Sequence, residues 1–418
     1  MAPGPHLIFD KSALQSFSLD ESNWLDNFYG TVITPLFFAE TLADLEKEVS
    51  KGRTPEQVVG ALAMKTPDMG STACAHHRKM LGGVLYGVDA LPLDGRIPRA
   101  QGQVVELGEK KGIFYSESEE ELALQRWYNH EFLDIERQVA KRWRRDLSNV
   151  DHSEEYSFFQ NWFVMGKPKT LAEVKAMTDA FIDGMPQLGV LRFGLGFEAV
   201  PEKAQDEILR RWLAAGQPPV KDFVPYFRHV YGVDLFFSLA IASDQISRVR
   251  PKGKADNAVD IAYLYYLPFC QIFTSMDNLH KRVVPLFLRD DQTFVDAAEL
   301  KADLAKLDAH YSSFSDEIKE TGFHGFATDP PDSTDFLTTR LWDKHLPRWR
   351  EIKADREPID QAKSRHIVDE INRIRDLAQA AGIDPTKRIS IEETEFMEIL
   401  RRPLRVKGKW LRYRKDLE

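Results

Sequence analysis

The chain opens with short apolar runs alternating with amphipathic stretches, loses that alternation in its middle, and recovers it after residue 232. His6–Asp10 (HLIFD) is apolar and ends in an acid, which predicts a first strand with Asp10 at its carboxyl end. A short helix capped by Asp20 follows, then a β-branched strand at Gly30–Thr34 and a helix opened by Pro35. On that helix Leu36, Glu40 and Ala43 fall on one face, and Asp44 lies one turn beyond Glu40. Another helix covers EQVVGALAMK. From 66 to 231 helical spacing dominates, with a hairpin pairing Gln103–Glu106 with Gly112–Tyr115, a long helix at Ser118–Leu147, and helices at 170–184 and 201–215.

Order returns with a helix at 232–247 and then Lys254–His280, KADNAVDIAYLYYLPFCQIFTSMDNLH. Two acids one turn apart, Asp256 and Asp260, lead into an apolar helix; a strand-like run follows and ends at a third acid, Asp277. A strand at Arg282–Leu288, a helix at 294–319, a loop at 323–333, helices at 335–352 and 358–381 and a short piece at 388–400 complete the pattern. The fold class expected is α/β, a sandwich around a central parallel sheet with added helices. The core is split between 1–65 and 232–322, interrupted by a mainly helical insertion at 66–231 and followed by a helical extension with a basic tail at 323–418.

Composition changes this picture little. The 418 residues, 43% hydrophobic and 29% charged, describe a globular chain able to bury a large core. Two cysteines, Cys74 and Cys270, allow one disulfide at most, and a reduced, cytoplasmic setting is the simpler expectation. No signal peptide is visible, and the longest apolar run, at 235–242, is too short to span a bilayer, so no membrane partner is expected. The net charge of -9 disfavours nucleic acid as a partner only if the charge is evenly spread, and it is not.

Acids at a helix start and at a strand tip can meet across the carboxyl edge of a parallel sheet, where open α/β folds place ligands. A group of carboxylates there suits a hard divalent cation. The segments LIFDKSAL, TPLFFAETLADLEK, DNAVDIAYLYYLPF and IFTSMDNL carry acids in one particular order: after a strand, on a following helix, at a late helix start, and after the next strand. In this the chain resembles the PIN-domain nucleases, over roughly residues 6–65 and 232–290. The resemblance implies a PIN-like α/β/α sandwich. It implies hydrolysis of phosphodiesters, most often in RNA, with Mg²⁺ or Mn²⁺ activating water and shielding the leaving oxygen. It makes Asp10, Glu40, Asp260 and Asp277 the catalytic and metal-binding acids, with Asp256 either a further ligand, a helix cap or a supporting group.

A basic loop, Arg248, Arg250, Lys252 and Lys254, runs straight into this stretch and offers a phosphate contact. In the basic carboxyl end, Trp410 and Tyr413 either stack on bases or pack on the protein's own acidic surface. The expected activity is an endoribonuclease, with a toxin or defence effector as one setting. A structure-selective DNA nuclease and an inactive interaction module, oligomeric or bound to a regulatory protein, are the alternatives. His76-His77 is expected to be a surface pair with rings pointing apart, and Gly194-Leu-Gly196, after a strand-like run, lacks the third glycine of a dinucleotide loop.

Overall fold

The computed structural model describes residues 4–67, 72–88, 91–95, 102–107, 110–115, 119–138, 159, 163, 166–246, 259–356 and 406–412. The predicted pieces at 358–381 and 388–400, Asp256, the basic loop at 248–254 and Tyr413 lie outside them.

A parallel sheet organises the chain. Its strands are β1 (His6–Phe9), β2 (Gly30–Ile33), β3 (Thr72–Ala73), β6 (Ile272–Ser275) and β7 (Thr293–Asp296), in the order β3-β2-β1-β6-β7, while β4 (Gly102–Leu107) and β5 (Lys110–Tyr115) form a separate antiparallel hairpin, as expected. The first strand pairs with both β2 and β6, with Ile8 opposite Val32 on one side and Phe273 on the other. Both faces are covered, as parallel sheets require. Leu7, Phe9, Ile33 and Ile272 point into one core, with helices α1 (Lys11–Ser16), α2 (Leu19–Phe28), α3 (Pro35–Val49) and α4 (Pro55–Ala63). Ile8, Val32 and Phe273 point into the other, with α5 (His77–Tyr86) and the helices Leu171–Gly184, Gln187–Phe197, Glu202–Ala214 and Pro225–Ala242. Residues 66–231, read from sequence as an insertion, thus supply the edge strand β3 and much of the layer on one sheet face.

Several elements differ from expectation for local reasons. Ser18, not Asp20, caps α2, exchanging hydrogen bonds with Glu21 in a capping box, while Asp20 accepts the Lys409 backbone N–H at 2.9 Å. The long helix expected at 118–147 is interrupted: α6 (Glu119–Tyr128) ends where His130 takes a left-handed φ of 59°, helical backbone resumes at 134–138, and 139–147 lie outside the described residues. Gly194 and Gly196 lie inside the helix Gln187–Phe197, not after a strand. The strand expected at Arg282–Leu288 is instead a helix, Asn278–Val283, and a 3-10 turn holding Pro285; a proline without N–H is ill suited to a central strand. The next strand is β7, and its last residue, Asp296, caps the helix Ala297–Ser312. The apolar run IAYLYYLPF forms largely a 3-10 helix, Tyr263–Phe269, with Pro268 inside it.

Residues 406–412 of the basic tail fold back onto the protein. A hairpin, β8 (Val406–Lys407) with β9 (Trp410–Leu411), packs on α2. Trp410 is buried edge-on against Trp24, ring centroids 4.9 Å apart, and both indole N–H groups donate to Asp308. Arg412 pairs with Asp26 at 2.6 Å, both nearly inaccessible. Gly408 turns the hairpin with φ +61°, where a Cβ would strike the Asp20 carboxylate. Among the two sequence readings for Trp410, packing on the protein itself is the one observed. Trp410→Ala is therefore expected to destabilise the fold by about 3 kcal/mol, measured by denaturant unfolding. An unchanged midpoint would show that the hairpin does not hold the fold.

Candidate active site

Asp10 follows β1 and Asp277 lies just past β6, the adjacent strands from which the sheet grows in opposite directions. That junction is the switch point of the sheet, and its carboxyl edge forms a crevice. The structure brings sequence-predicted acids to this edge one by one.

Asp10 is buried and caps α1, Oδ1 accepting the Ala13 N–H at 2.8 Å. Ser12 Oγ lies 2.9 and 2.8 Å from its two oxygens, and Ser275 Oγ donates to Oδ2 at 2.6 Å. Burial opposes the charge, but His280 together with the Ser275 and Ala13 donors outweighs it and holds Asp10 below the usual aspartate range.

The charge of His280 follows from its bonds. Its Nε2 faces the Asp260 carbonyl at 2.8 Å, which can only accept. Ser275 Oγ gives its one proton to Asp10 and accepts the Asp277 N–H at 2.9 Å, so its 2.8 Å contact with His280 Nδ1 needs a proton on that nitrogen. Both ring nitrogens donate, and the buried ring is an imidazolium. Burial works against this, while the Asp10 hydrogen bond and charge prevail and lift it to about 9.

Glu40, half-buried on α3, takes a hydrogen bond from Tyr263 at 3.0 Å. Lys11, almost fully buried, reaches from α1 to the same acid: Nζ is 3.6 Å from Glu40 Oε1, 3.2 Å from the Glu40 carbonyl, and in contact with Asp44. Burial pushes Glu40 up to about 7, with Lys11 opposing and Asp10 and Asp44 reinforcing. Asp260 rises to about 8, first from burial, with His280 opposing and Glu40, Asp277 and Asp10 reinforcing. Asp277 caps the helix Asn278–Val283, accepting the Leu279 N–H at 2.5 Å.

Asp10, Glu40, Asp260 and Asp277 therefore share one electrostatic neighbourhood. Among the described residues, however, no three His, Cys, Asp or Glu side chains are grouped so as to hold a metal ion. The reason is visible: Asp10 is engaged by the protein's own donors, and Glu40 by Lys11 and Tyr263. The donors are carboxylate oxygens, the type that hard cations take, but the described side chains are not grouped around one point.

Sequence reading missed Lys11, Ser12, Asp44, Tyr263, Ser275 and His280 as partners. Most of them stood inside the quoted segments beside the acids. The His76-His77 pair also differs from expectation. His76 caps α5 from outside the helix, so the two rings stack with centroids 4.5 Å apart and do not diverge. Neither a family model, nor a curated protein, nor a solved structure matches the chain. Among the described residues no helix is long and apolar enough to cross a membrane.

Glu40, Asp260 and His280 all titrate above their ordinary values, and a group raised in the folded state adds stability at low pH that is lost as pH rises through its folded pKa. Asp10, lowered, acts only in the acid range below its ordinary 3.8. Without divalent cations, these groups contribute a loss of stability between about pH 5 and about pH 9 that should be smaller in Asp260→Asn than in the wild type. Chemical denaturation in EDTA across that range checks this; parallel profiles for the two proteins would show that Asp260 does not feel the cluster.

Proposed function

We propose that the chain is a PIN-like, Mg²⁺- or Mn²⁺-dependent nuclease that hydrolyses phosphodiesters, with RNA ahead of DNA as substrate. The observation that carries this reading is the placing of Asp10 and Asp277 at the ends of the adjacent strands β1 and β6, with Glu40 and Asp260 close enough that, after burial, the neighbouring acids add to the rise in their proton affinity. The all-parallel order β3-β2-β1-β6-β7, covered on both faces, supports the sandwich architecture that goes with it.

In this reading Asp10, Asp260 and Asp277 would hold the cation, which when bound lowers the pKa of water and neutralises charge developing on a departing oxygen. Ser12 and Ser275 orient Asp10, leaving its carboxylate ionised. His280 ties the Asp260 backbone to Asp10 and so sets where the Asp260 side chain starts. Glu40, near neutrality in its proton affinity, is the acid best placed in pKa to accept or return a proton. The basic residues Arg248, Arg250, Lys252 and Lys254 remain the proposed phosphate contacts, from their position in the sequence alone.

A second reading, the inactive scaffold, is favoured by one observation: Lys11 and His280 already offset part of the acidic charge. The two readings part on a single assay. Purified protein with Mn²⁺ is expected to cleave single-stranded RNA, and EDTA to stop it. Asp10→Asn and Asp277→Asn should each lower kcat/KM by roughly a hundredfold. Full cleavage by both variants would remove the site assignment, and no cleavage of RNA or flap DNA by the wild type would favour the scaffold.

A further inference from the structure

Glu198 stands where the end of one helix meets the middle of another. It closes the helix Gln187–Phe197, and its side chain is 3% exposed. Its partner is Asp234, inside the helix Pro225–Ala242, and the two carboxyl groups hydrogen-bond to each other. An ionised carboxylate can only accept, so this bond exists only while one of the two carries a proton. Tyr265 donates to Asp234, and Glu198 Oε1 meets no ordinary donor among the described residues. Arg78 Nη1 donates to the Glu198 carbonyl at 3.1 Å but stays 3.9 Å from Oε2, with 60% of its side chain in solvent.

Among the described residues, the charged and titratable groups facing the pair come from three elements. They are Arg78 on α5, Tyr265 on the 3-10 helix, and Tyr226 and Tyr231 on the helix Pro225–Ala242, with His77 of α5 one ring further out, 4.9 Å from Tyr265. Burial keeps His77 and the three phenols neutral, so Arg78 is the one charge among them. On the neighbouring helix Leu171–Gly184, Asp179 and Asp183 are taken up by Arg228.

The turn that carries Glu198 is strained. Ala199 has a φ of 51°, in the left-handed region that is costly for an alanine, and it leads through Val200 and Pro201 into the helix Glu202–Ala214. Such a residue persists where its surroundings over-determine it. The Ala199 and Val200 N–H groups donate to the Gly196 and Leu195 carbonyls at 3.0 and 2.9 Å, Arg78 holds the Glu198 carbonyl, and Asp234 holds the Glu198 carboxyl. Of these holds, the last alone depends on a proton.

We infer that Glu198 and Asp234 form a proton-operated clasp: while they share one proton the turn at 198–201 is fastened to the helix Pro225–Ala242, and loss of that proton lets the turn open, with Glu198 facing Arg78 and water. Nothing in it draws on the nuclease reading. Burial first, and Asp234 second, lift Glu198 from its ordinary 4.5 to about 9. The closed turn therefore keeps a proton that an opened glutamate gives up. Its advantage is complete below about pH 4.5 and is lost as pH rises through about 9.

Amide hydrogen exchange of the full chain, read by mass spectrometry between about pH 6 and about pH 8.5 and corrected for the intrinsic rate at each pH, tests the clasp. In the wild type, protection of residues 195–204 is expected to fall roughly tenfold per pH unit, the slope of one proton released on opening. In Glu198→Gln, whose amide donates to Asp234 at every pH, protection should stay level. A level wild-type profile, or an equal slope in Glu198→Gln, overturns the inference. Should that variant not fold, Asp234→Asn replaces it, since its amide donates to Glu198 at every pH. If neither folds, the wild type decides: a slope confined to 195–204 supports the clasp, and one shared with β1 and β6 reports unfolding of the whole chain and overturns it.

Discussion

A carboxylate buried at the end of a central strand has to be neutralised or solvated by something, and Asp10 shows how this fold does it. The backbone of α1, the hydroxyls of Ser12 and Ser275 and the imidazolium of His280 all converge on one side chain. These groups come from α1, β6 and the helix after β6, so a single charge at the end of β1 ties together the two halves of the sheet that lie more than 260 residues apart in sequence. A buried charge left without such donors would cost several kcal/mol. The same bonds bring Asp277 and the Asp260 backbone to Asp10, because Ser275 also takes the Asp277 N–H and His280 also donates to the Asp260 carbonyl.

The helical layer handles its acids by other means. Glu198 and Asp234 are both pushed up by burial, Glu198 to about 9, and they hydrogen-bond to each other as an acid and a carboxylate sharing one proton. Tyr265 donates to Asp234, and Arg78 approaches Glu198 from the surface. Here burial favours the protonated form, and among the described residues the exposed Arg78 is the cation that approaches. At the sheet edge two buried cations are brought in: His280 holds Asp10 ionised, while burial still lifts Glu40 and Asp260.

Trp410 and Lys11 show how burial changes the meaning of a residue type. An aromatic amid basic residues has the composition of a base-stacking tail, yet Trp410 shares the Asp308 carboxylate with Trp24 in the core. A lysine after an apolar strand has the composition of a surface residue, yet Lys11 is enclosed by α3. Neither outcome could be told from spacing along the chain, because both depend on which element packs opposite.

Local sequence determined the elements whose signals are local. The apolar run ending in Asp10, the β-branched strand before Pro35, the helix that Pro35 opens and the acid closing IFTSM all formed where hydrophobic period and turn chemistry placed them. Asp10 and Asp277 were legible for the same reason, since each stands at an element boundary, whereas Glu40 lies within α3. Tertiary structure alone decided that residues 72–73 complete the sheet and that Lys11 and His280 supply its internal cations. Those outcomes turn on long-range pairing and on the low dielectric in which buried charges must find partners, and neither is written in the spacing of residues along one strand or helix.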